Sequence, residues 1–361
     1  MLETPGLAPR PGEPQAAEEC PWYQGYEMGM AFCRLTERLA AQPGTKIEKE
    51  LRSLERALDQ ERLRGLRGVP LNLIDLGTGD GQKMLRVIAA LRTSGVGSIR
   101  YVPVDTNAYI SRYAILTILG AGQRSWRRDE AELLFGPLGR LEPAGTGEAR
   151  TIGTEALVRA TSAHPARRHW VVREGVTVPL TGLDLDFFEE LSAVAGAVRA
   201  LDADATNLYC LLGNTLGNYP PDKRAAFLST ACAETRTGDL LLIGVGLRPL
   251  APPCEEAILL LRAEYEVGEA FMRLGADHPA ATYRTIYDAE SHRMVHGFVR
   301  PDGTLQEMGY SYLFHPGQLV RDLEAAGLEV LSCGSYPDLD GDAAARKPHA
   351  PRYLTILARR A

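Results

Sequence analysis

The chain is poor in the features that would mark it for a membrane, a nucleic acid or a metal. No apolar run in its 361 residues approaches the ~18 residues that a spanning helix needs, so no membrane association is expected. There is no basic excess either: 40 Lys and Arg face 46 Asp and Glu, for a formal net charge of -6. Nucleic-acid binding relies on positive charge to replace counterions, so that class of partner is not expected. The six cysteines, Cys20, Cys33, Cys210, Cys232, Cys254 and Cys333, form no CxxC pair. They read as reduced, buried thiols rather than zinc ligands or a disulfide framework. Seven histidines include no HxxxH pair with helical context and no HExxH, and His292 and His296 fall in a stretch read as β, so no metal is expected. The opening MLETPGLAPRPGEPQ is acidic and Pro-rich, unlike a secretion signal. A cytoplasmic enzyme is the expectation.

What is present is ordinary globular composition, 45% hydrophobic and 24% charged, at a length that suits two domains or one domain with a large elaboration. Residues 1–20 lack periodicity and read as a disordered arm. Residues 21–65 read as helices, with apolar positions Met28, Phe32, Leu35 and Leu39, then Ile47, Leu51, Leu54 and Leu58. A βαβ rhythm follows: a strand at 71–76, a helix at 82–95, a strand at 100–104, and a helix over about 108–120. The stretch from 120 to about 180 has no clear pattern. Strands return at 207–212 and 239–245 around a helix at 221–235, and the chain closes with a helix at 316–327 and strands at 328–332 and 352–357. Alternation of this kind predicts an α/β fold with a largely parallel sheet and helices on both faces. About seventy residues, 247–314, interrupt it.

The chemistry centres on Leu73-Ile-Asp-Leu-Gly-Thr-Gly-Asp-Gly81. Glycines 77, 79 and 81 stand where a strand turns into a helix, and without side chains there the backbone amides and the helix dipole can approach a ligand. Asp105 ends the next strand, placed to accept hydrogen bonds from both ribose hydroxyls. A P-loop is excluded, because Gly81 is followed by Gln82-Lys83-Met84 instead of Lys-Ser/Thr. A dinucleotide fingerprint wants glycine where Gln82 stands, which disfavours a pyrophosphate. An adenosine carrying a sulfonium tail, with no phosphate to cradle, fits the turn better.

With LIDLGTGDGQK (73–83), YVPVDTN (101–107), LDFFEEL (185–191), LLGNTLGNYPPDKRAAFL (211–228), GDLLLIGVGL (238–247) and FHPGQLVRDLEAAGL (314–328), the sequence resembles the histidine-specific Nα-methyltransferases of ergothioneine biosynthesis and related prenyltryptophan N-methyltransferases. The resemblance implies S-adenosylmethionine as cofactor and a Rossmann-like class I methyltransferase sheet. It implies that Gly77, Thr78, Gly79 and Lys83 surround the amino-acid end of the cofactor, that Asp105 takes the ribose, and that Asp186 and Phe187 hold and flank adenine. Tyr23 is similar to a tyrosine that covers the cofactor and assists catalysis. Asn218, with Asn214, is similar to the asparagine that orients the substrate's amino-acid moiety, and Ser311 to a serine lining the side-chain pocket. Plainer readings stand beside these: Asp105 as a helix cap, Lys83 as a solvated lysine, Asn214 and Asn218 as turn residues, Tyr23 as a packed aromatic.

The expected organisation is therefore a disordered arm (1–20), helical lid or substrate elements (21–65), a cofactor-binding core (66–246 with 315–361) and an inserted substrate-recognition domain (247–314). The expected activity is methyl transfer to a small amino-acid-like molecule, on an amine and in specialised biosynthesis, by a monomer or weak homo-oligomer. Ring closure or another non-methylating use of the same cofactor, and a nicotinamide oxidoreductase, are the competing readings. The family's histidine site uses a glutamate two residues before its pocket serine. Gly309 stands there in this chain, with Glu307 two positions further back, so free histidine is not the expected substrate.

Overall fold

The computed structural model describes residues 29, 31–36, 46–58, 63–118, 170–173, 176–179, 182–201, 204–250, 277–336 and 352–361. The expectations for the arm 1–20 and for Tyr23 lie outside these residues. So do those for most of the stretch from 120 to 180 and for 251–276 of the insertion.

A run of apolar residues without polar alternation belongs in a strand covered on both faces. The strand β7 (Leu240–Leu247) is such a run, β1 (Leu71–Leu76) departs from one only at Asn72 and Asp75, and every residue in both is buried. They belong to a nine-stranded sheet whose main order is β11-β12-β7-β6-β1-β2-β4-β3. Its other members are β2 (Ile99–Asp105), β3 (Trp170–Arg173), β4 (Val176–Pro179), β6 (Thr206–Leu211), β11 (Leu328–Tyr336) and β12 (Arg352–Arg360), with the short β5 (Leu183–Asp184) beside the end of β2. The centre is parallel: β1 pairs in that sense with β2 and β6, and β6 with β7. The close is antiparallel, because β12 inserts between β7 and β11 and runs against both. That strand pair ends the sheet in the methyltransferase manner, whereas a dinucleotide fold continues with parallel units.

Alternation along β1 distributes the core. Leu71 and Leu73 pack with Leu54 of α1 (Lys46–Ala57) and Leu58 just after it, Met84, Val87 and Leu91 of α2 (Gln82–Thr93), and Ile115 of α3 (Ala108–Ile118). Ile74 and Leu76 face the opposite way, towards Val194 and Val198 of α4 (Leu191–Leu201), Phe227 of α5 (Pro221–Glu234) and Leu323 of α6 (Pro316–Ala325). Each such side chain contributes about 1.5–3 kcal/mol by leaving water. The elements β3 to β5 and α4 are those that the sequence left unassigned.

Polar residues fix the register. At the amino-terminal ends of the strands, Asn72 donates to Asn207 Oδ1 at 3.0 Å, and Asn207 donates its side-chain and backbone N–H groups to Asp239 at 3.0 and 2.9 Å. Arg100 donates to Asn72 Oδ1 at 3.2 Å, which extends the chain of bonds to β2. The helix α1 lies against the closing strands. Ser53 and Thr355 hydroxyls meet at 2.8 Å, Ser332 Oγ donates to the Ala57 carbonyl at 2.6 Å, and the helix backbone passes so close to Gly334 that no side chain fits there.

The 247–314 segment contributes a separate antiparallel sheet, β10-β9-β8, from β8 (Thr282–Asp288), β9 (Arg293–Val299) and β10 (Leu305–Tyr312). Phe314 joins it to the main sheet by donating its N–H to the Gly246 carbonyl and accepting from Arg248, both at 2.9 Å. Tyr283, Phe298 and Met308 pack with Ala31, Phe32 and Leu35 of the N-terminal helical segment. Among the described cysteines, Cys33, Cys210 and Cys232 form no disulfide and are buried as expected, but Cys333 is exposed. Its strand, β11, is the edge of the sheet, where one side chain in two can face water.

One buried acid belongs to no ladder. Asp75 of β1 is 3% exposed and accepts a hydrogen bond from Tyr101 Oη at 2.8 Å. Burial pushes its carboxyl up to about 8, against the lowering effect of the tyrosine. The folded state therefore keeps a proton that the unfolded chain releases above about pH 4, so this group's favourable contribution is complete at low pH and is lost as pH rises through about 8. In thermal melts of the unliganded protein, Asp75→Asn should gain on the wild type as pH increases from 5 to 8. A difference that stays constant with pH would show that Asp75 is ionised throughout.

Candidate active site

A parallel strand directs its carboxyl end and the following helix's N-terminus to one edge of the sheet, and a crevice opens where neighbouring strands continue to opposite sides. In this chain that place is the end of β1, between β2 and β6. Glycines 77, 79 and 81 have φ of 75°, 55° and 76°, a left-handed path that costs other residues strain. A side chain at Gly77 would come within 3.5 Å of both Thr215 and Phe187. These two residues flank the turn, and Phe187 is the residue that the resemblance assigns to adenine. Phe32 of the N-terminal helical segment stands 3.7 Å from the Cβ position of Gly79.

Asp105 ends β2 beside this turn, buried, where it accepts from Thr78 Oγ1 at 3.2 Å and from the Asn107 N–H at 2.9 Å. Burial raises its carboxyl to about 6. The bonds from Asn107 and Thr78 oppose that rise, and the nearby Asp184 adds to it. Thr78, expected at the cofactor's amino-acid end, is thus tied to the carboxylate expected at its ribose. The bond to Asn107 is an Asx-type turn and not a helix cap: Asn107 itself caps α3, its Oδ1 accepting the Tyr109 and Ile110 N–H groups at 2.9 and 3.4 Å. Asp186 is half-buried and its Oδ1 accepts the Phe188 N–H at 3.1 Å, which shapes the turn carrying Phe187 and Phe188. Phe188 in turn stacks on Tyr219 and Phe227, with centroids 3.4 and 4.3 Å away.

On the other side of the crevice, Asn214 has φ of 61° and is buried. Its Oδ1 accepts the Gly246 N–H at 2.8 Å and its Nδ2 donates to the Tyr312 carbonyl at 3.4 Å. Both ends of the amide hold backbone. It clamps the turn against β7 and β10. Gly217 lets β10 approach, since a Cβ there would meet the Tyr312 carbonyl at 2.7 Å. That approach brings Ser311 to Asn218, its Oγ donating to Asn218 Oδ1 at 3.2 Å across 93 positions of sequence. The strand β10 carries a bulge between Glu307 and Gly309. Glu307 lies opposite Gly297 and Ser311 opposite Met294, an odd number of steps apart on β9, so the two point to different faces. Glu307 pairs with Arg293 at 3.1 Å. Gly309 lies opposite His296, and a side chain there would meet nothing within 4 Å.

Lys83, in the first turn of α2, places its ammonium 2.6 Å from the Cβ position of Gly213, at the end of the β6 segment, and 2.5 Å from Glu50 Oε2. The sequence reading missed Glu50, Asp75 and Asp184. Glu50 had a legible signal, since it lies three residues after Ile47 and four before Leu54, on the apolar face of its helix. Asp75 could be seen as the one acid of a strand whose other residues, Asn72 apart, are apolar. His296 is buried, with Nδ1 3.2 Å from both Tyr283 Oη and Thr285 Oγ1. Among the described residues no group of three or more His, Cys, Asp or Glu side chains is arranged to hold a metal. No described helix is long and apolar enough to cross a membrane.

The residues suit S-adenosylmethionine: a backbone turn that no side chain fills, a buried carboxylate at the neighbouring strand end, and a lysine over the opposite strand's glycine. The family model described as histidine-specific methyltransferase, SAM-dependent, matches residues 162–263, which include GNTLGN and GDLLLIG. No curated protein sequence matches the chain significantly. Solved structures similar to it include a putative methyltransferase from Thermobifida fusca, at 12% identity and a TM-score of 0.40, covering 91% of this chain and 87% of that one. The CcbJ methyltransferase from Streptomyces caelestis is similar at 15% identity and a TM-score of 0.37, covering 92% and 98%. The [4+2]-cyclase SpnF is similar at 12% identity and 0.36, covering 92% and 94%. On the family match and the order of its own sheet, the chain is a Rossmann-like S-adenosylmethionine-dependent methyltransferase that shares the signature of the histidine-specific family over residues 162–263.

Proposed function

We propose that this methyltransferase acts on the amine of a small amino-acid-like molecule, held between the turn after β6 and the β8–β10 sheet. The observation that carries this reading is the Ser311–Asn218 hydrogen bond at 3.2 Å. It joins the two residues expected at the substrate's two ends, and Asn218 closes the short turn Thr215–Asn218 whose Thr215 flanks Gly77. S-adenosylmethionine, when bound, supplies a methyl already activated on a sulfonium, so the chain's task is alignment and exclusion of water. In this reading Asn218 orients the amino-acid moiety, Asn214 holds Asn218's turn in place, and Asp105 and the glycine turn fix the cofactor. Phe32 and the β8–β10 sheet close the site. The amine must lose its proton before it can attack, and the Asn218 amide oxygen can hold its remaining N–H in the productive orientation.

The pocket favours a side chain other than imidazole. Glu307 is held by Arg293 on the other face of β10, and Gly309 offers no acceptor. A site lacking the partner for a polar group gives up discrimination that reaches about 10⁴. The open space at Gly309 leaves room for a bulkier group.

Three measurements test this reading. By calorimetry, Asp105→Ala should weaken S-adenosylhomocysteine binding about ten- to a hundredfold. Wild-type affinity should fall as pH drops from 7.5 to 5, because a carboxyl raised to about 6 becomes protonated there, and the variant should lose that dependence. Unchanged affinity in the variant would remove Asp105 from the site. Asn218→Ala should lower turnover and substrate affinity yet bind S-adenosylhomocysteine within about threefold of wild type, a difference under 1 kcal/mol. Collapse of cofactor binding would make Asn218 structural. With labelled cofactor, free histidine should yield no methylated product above background, whereas efficient formation of trimethylhistidine would show that another residue grips the ring.

A further inference from the structure

The pair Glu50–Lys83 is an expensive thing to bury. Glu50 is 8% exposed and sits on the face of α1 that carries Ile47 and Leu54 into the core, where an apolar residue would pack without a charge to compensate. Replacing a buried ion pair by hydrophobic residues is often neutral or stabilising, so its presence is weak evidence for a role in stability. Its position is more informative. Lys83 belongs to the helix that the glycine turn opens, and its ammonium lies over Gly213, where no side chain could coexist with it. The pair therefore puts one positive and one negative group beside the crevice between the carboxyl ends of β1 and β6. Of the two, only Lys83 comes from the sheet's own βα unit. The carboxylate is delivered by the helix that Ser53 and Ala57 fasten to the closing strands, through Thr355 and Ser332.

We infer that Glu50 and Lys83 form a clamp for an α-amino-acid zwitterion, with Glu50 accepting from the α-ammonium and Lys83 donating to the α-carboxylate, and that the amino acid held there is the methionine-derived end of the cofactor. This rests on the cofactor assignment above and adds a residue to it. A neutral pair of side chains would hold either end weakly. Two opposite charges 2.5 Å apart match a ligand whose own opposite charges are adjacent. The clamp also makes α1 part of the binding site, so the N-terminal region is coupled to the cofactor through one carboxylate.

The test compares two ligands that share the adenosine thioether and differ in the amino-acid end: S-adenosylhomocysteine, and 5′-methylthioadenosine, which lacks it. Calorimetry on the full chain should show that Glu50→Gln weakens S-adenosylhomocysteine binding about ten- to a hundredfold, the range for a lost bond to a charged group, while 5′-methylthioadenosine binds as to wild type. Glu50→Leu should do the same, with a melting temperature below wild type because Lys83 loses its partner. An unchanged affinity for S-adenosylhomocysteine in both variants, or an equal loss for both ligands, would overturn the clamp and make Glu50 a structural residue. A wild type that binds neither ligand would instead overturn the cofactor assignment, and the clamp with it.

Discussion

The site depends on β1 being held in one register between β2 and β6. A slip of one residue would send Leu71 and Leu73 to the face now occupied by Ile74 and Leu76, and would move the glycine turn away from Asp105. Apolar burial alone does not forbid this, because β1 is buried on both faces and its side chains are of similar size. The amide and carboxylate chain Asn72–Asn207–Asp239, joined by the half-buried Arg100, does forbid it: the first three are almost wholly buried and are satisfied only in the observed alignment. A slip would leave several of them without partners, at about 1–3 kcal/mol each. The polar ladder stands at the amino-terminal ends of the strands, and the chemistry stands at the carboxyl ends.

Those carboxyl ends concentrate acids that burial would prefer neutral. Asp75, Asp105 and Asp184 are all raised, mainly by desolvation, the first to about 8 and the others to about 6. A crevice that gathers them bears a cost in stability, which the two apolar layers on either side of the sheet offset. A ligand that donates hydrogen bonds to Asp105 would relieve part of that cost by favouring its ionised form.

In the proposed reading, substrate choice falls to separate material. The β8–β10 sheet touches the core through Phe314 and through the meeting of Gly217 with β10, and one of its faces packs on the N-terminal helical segment. A strand that carries a bulge changes which face its residues address. In β10 the bulge lies between the residue held by Arg293 and the residue bonded to Asn218. The same framework can therefore present a different set of side chains to a substrate after a change of one or two residues in this strand.

The sequence by itself determined the order of helices and strands around the sheet, since periodicity and strand-to-helix glycines are local signals. It placed β1, α2, β2, α5 and α6 within a few residues of their observed bounds, and it singled out the glycine turn, Asp105, Asn218 and Ser311 as candidates for one site. It did not reveal α4 or the short strands β3 to β5, whose apolar patterns are brief and lie among polar and glycine-rich stretches. Only the tertiary structure decided that Asn214 holds backbone while Asn218 meets Ser311, because identical side chains four residues apart differ only in what the fold brings to them. Likewise the spacing of Glu50 announced a charge on an apolar face, but nothing local could say that Lys83 would be its partner. That pairing exists because α1 and α2 pack on the same face of the sheet, and long-range packing is the one property a linear pattern does not encode.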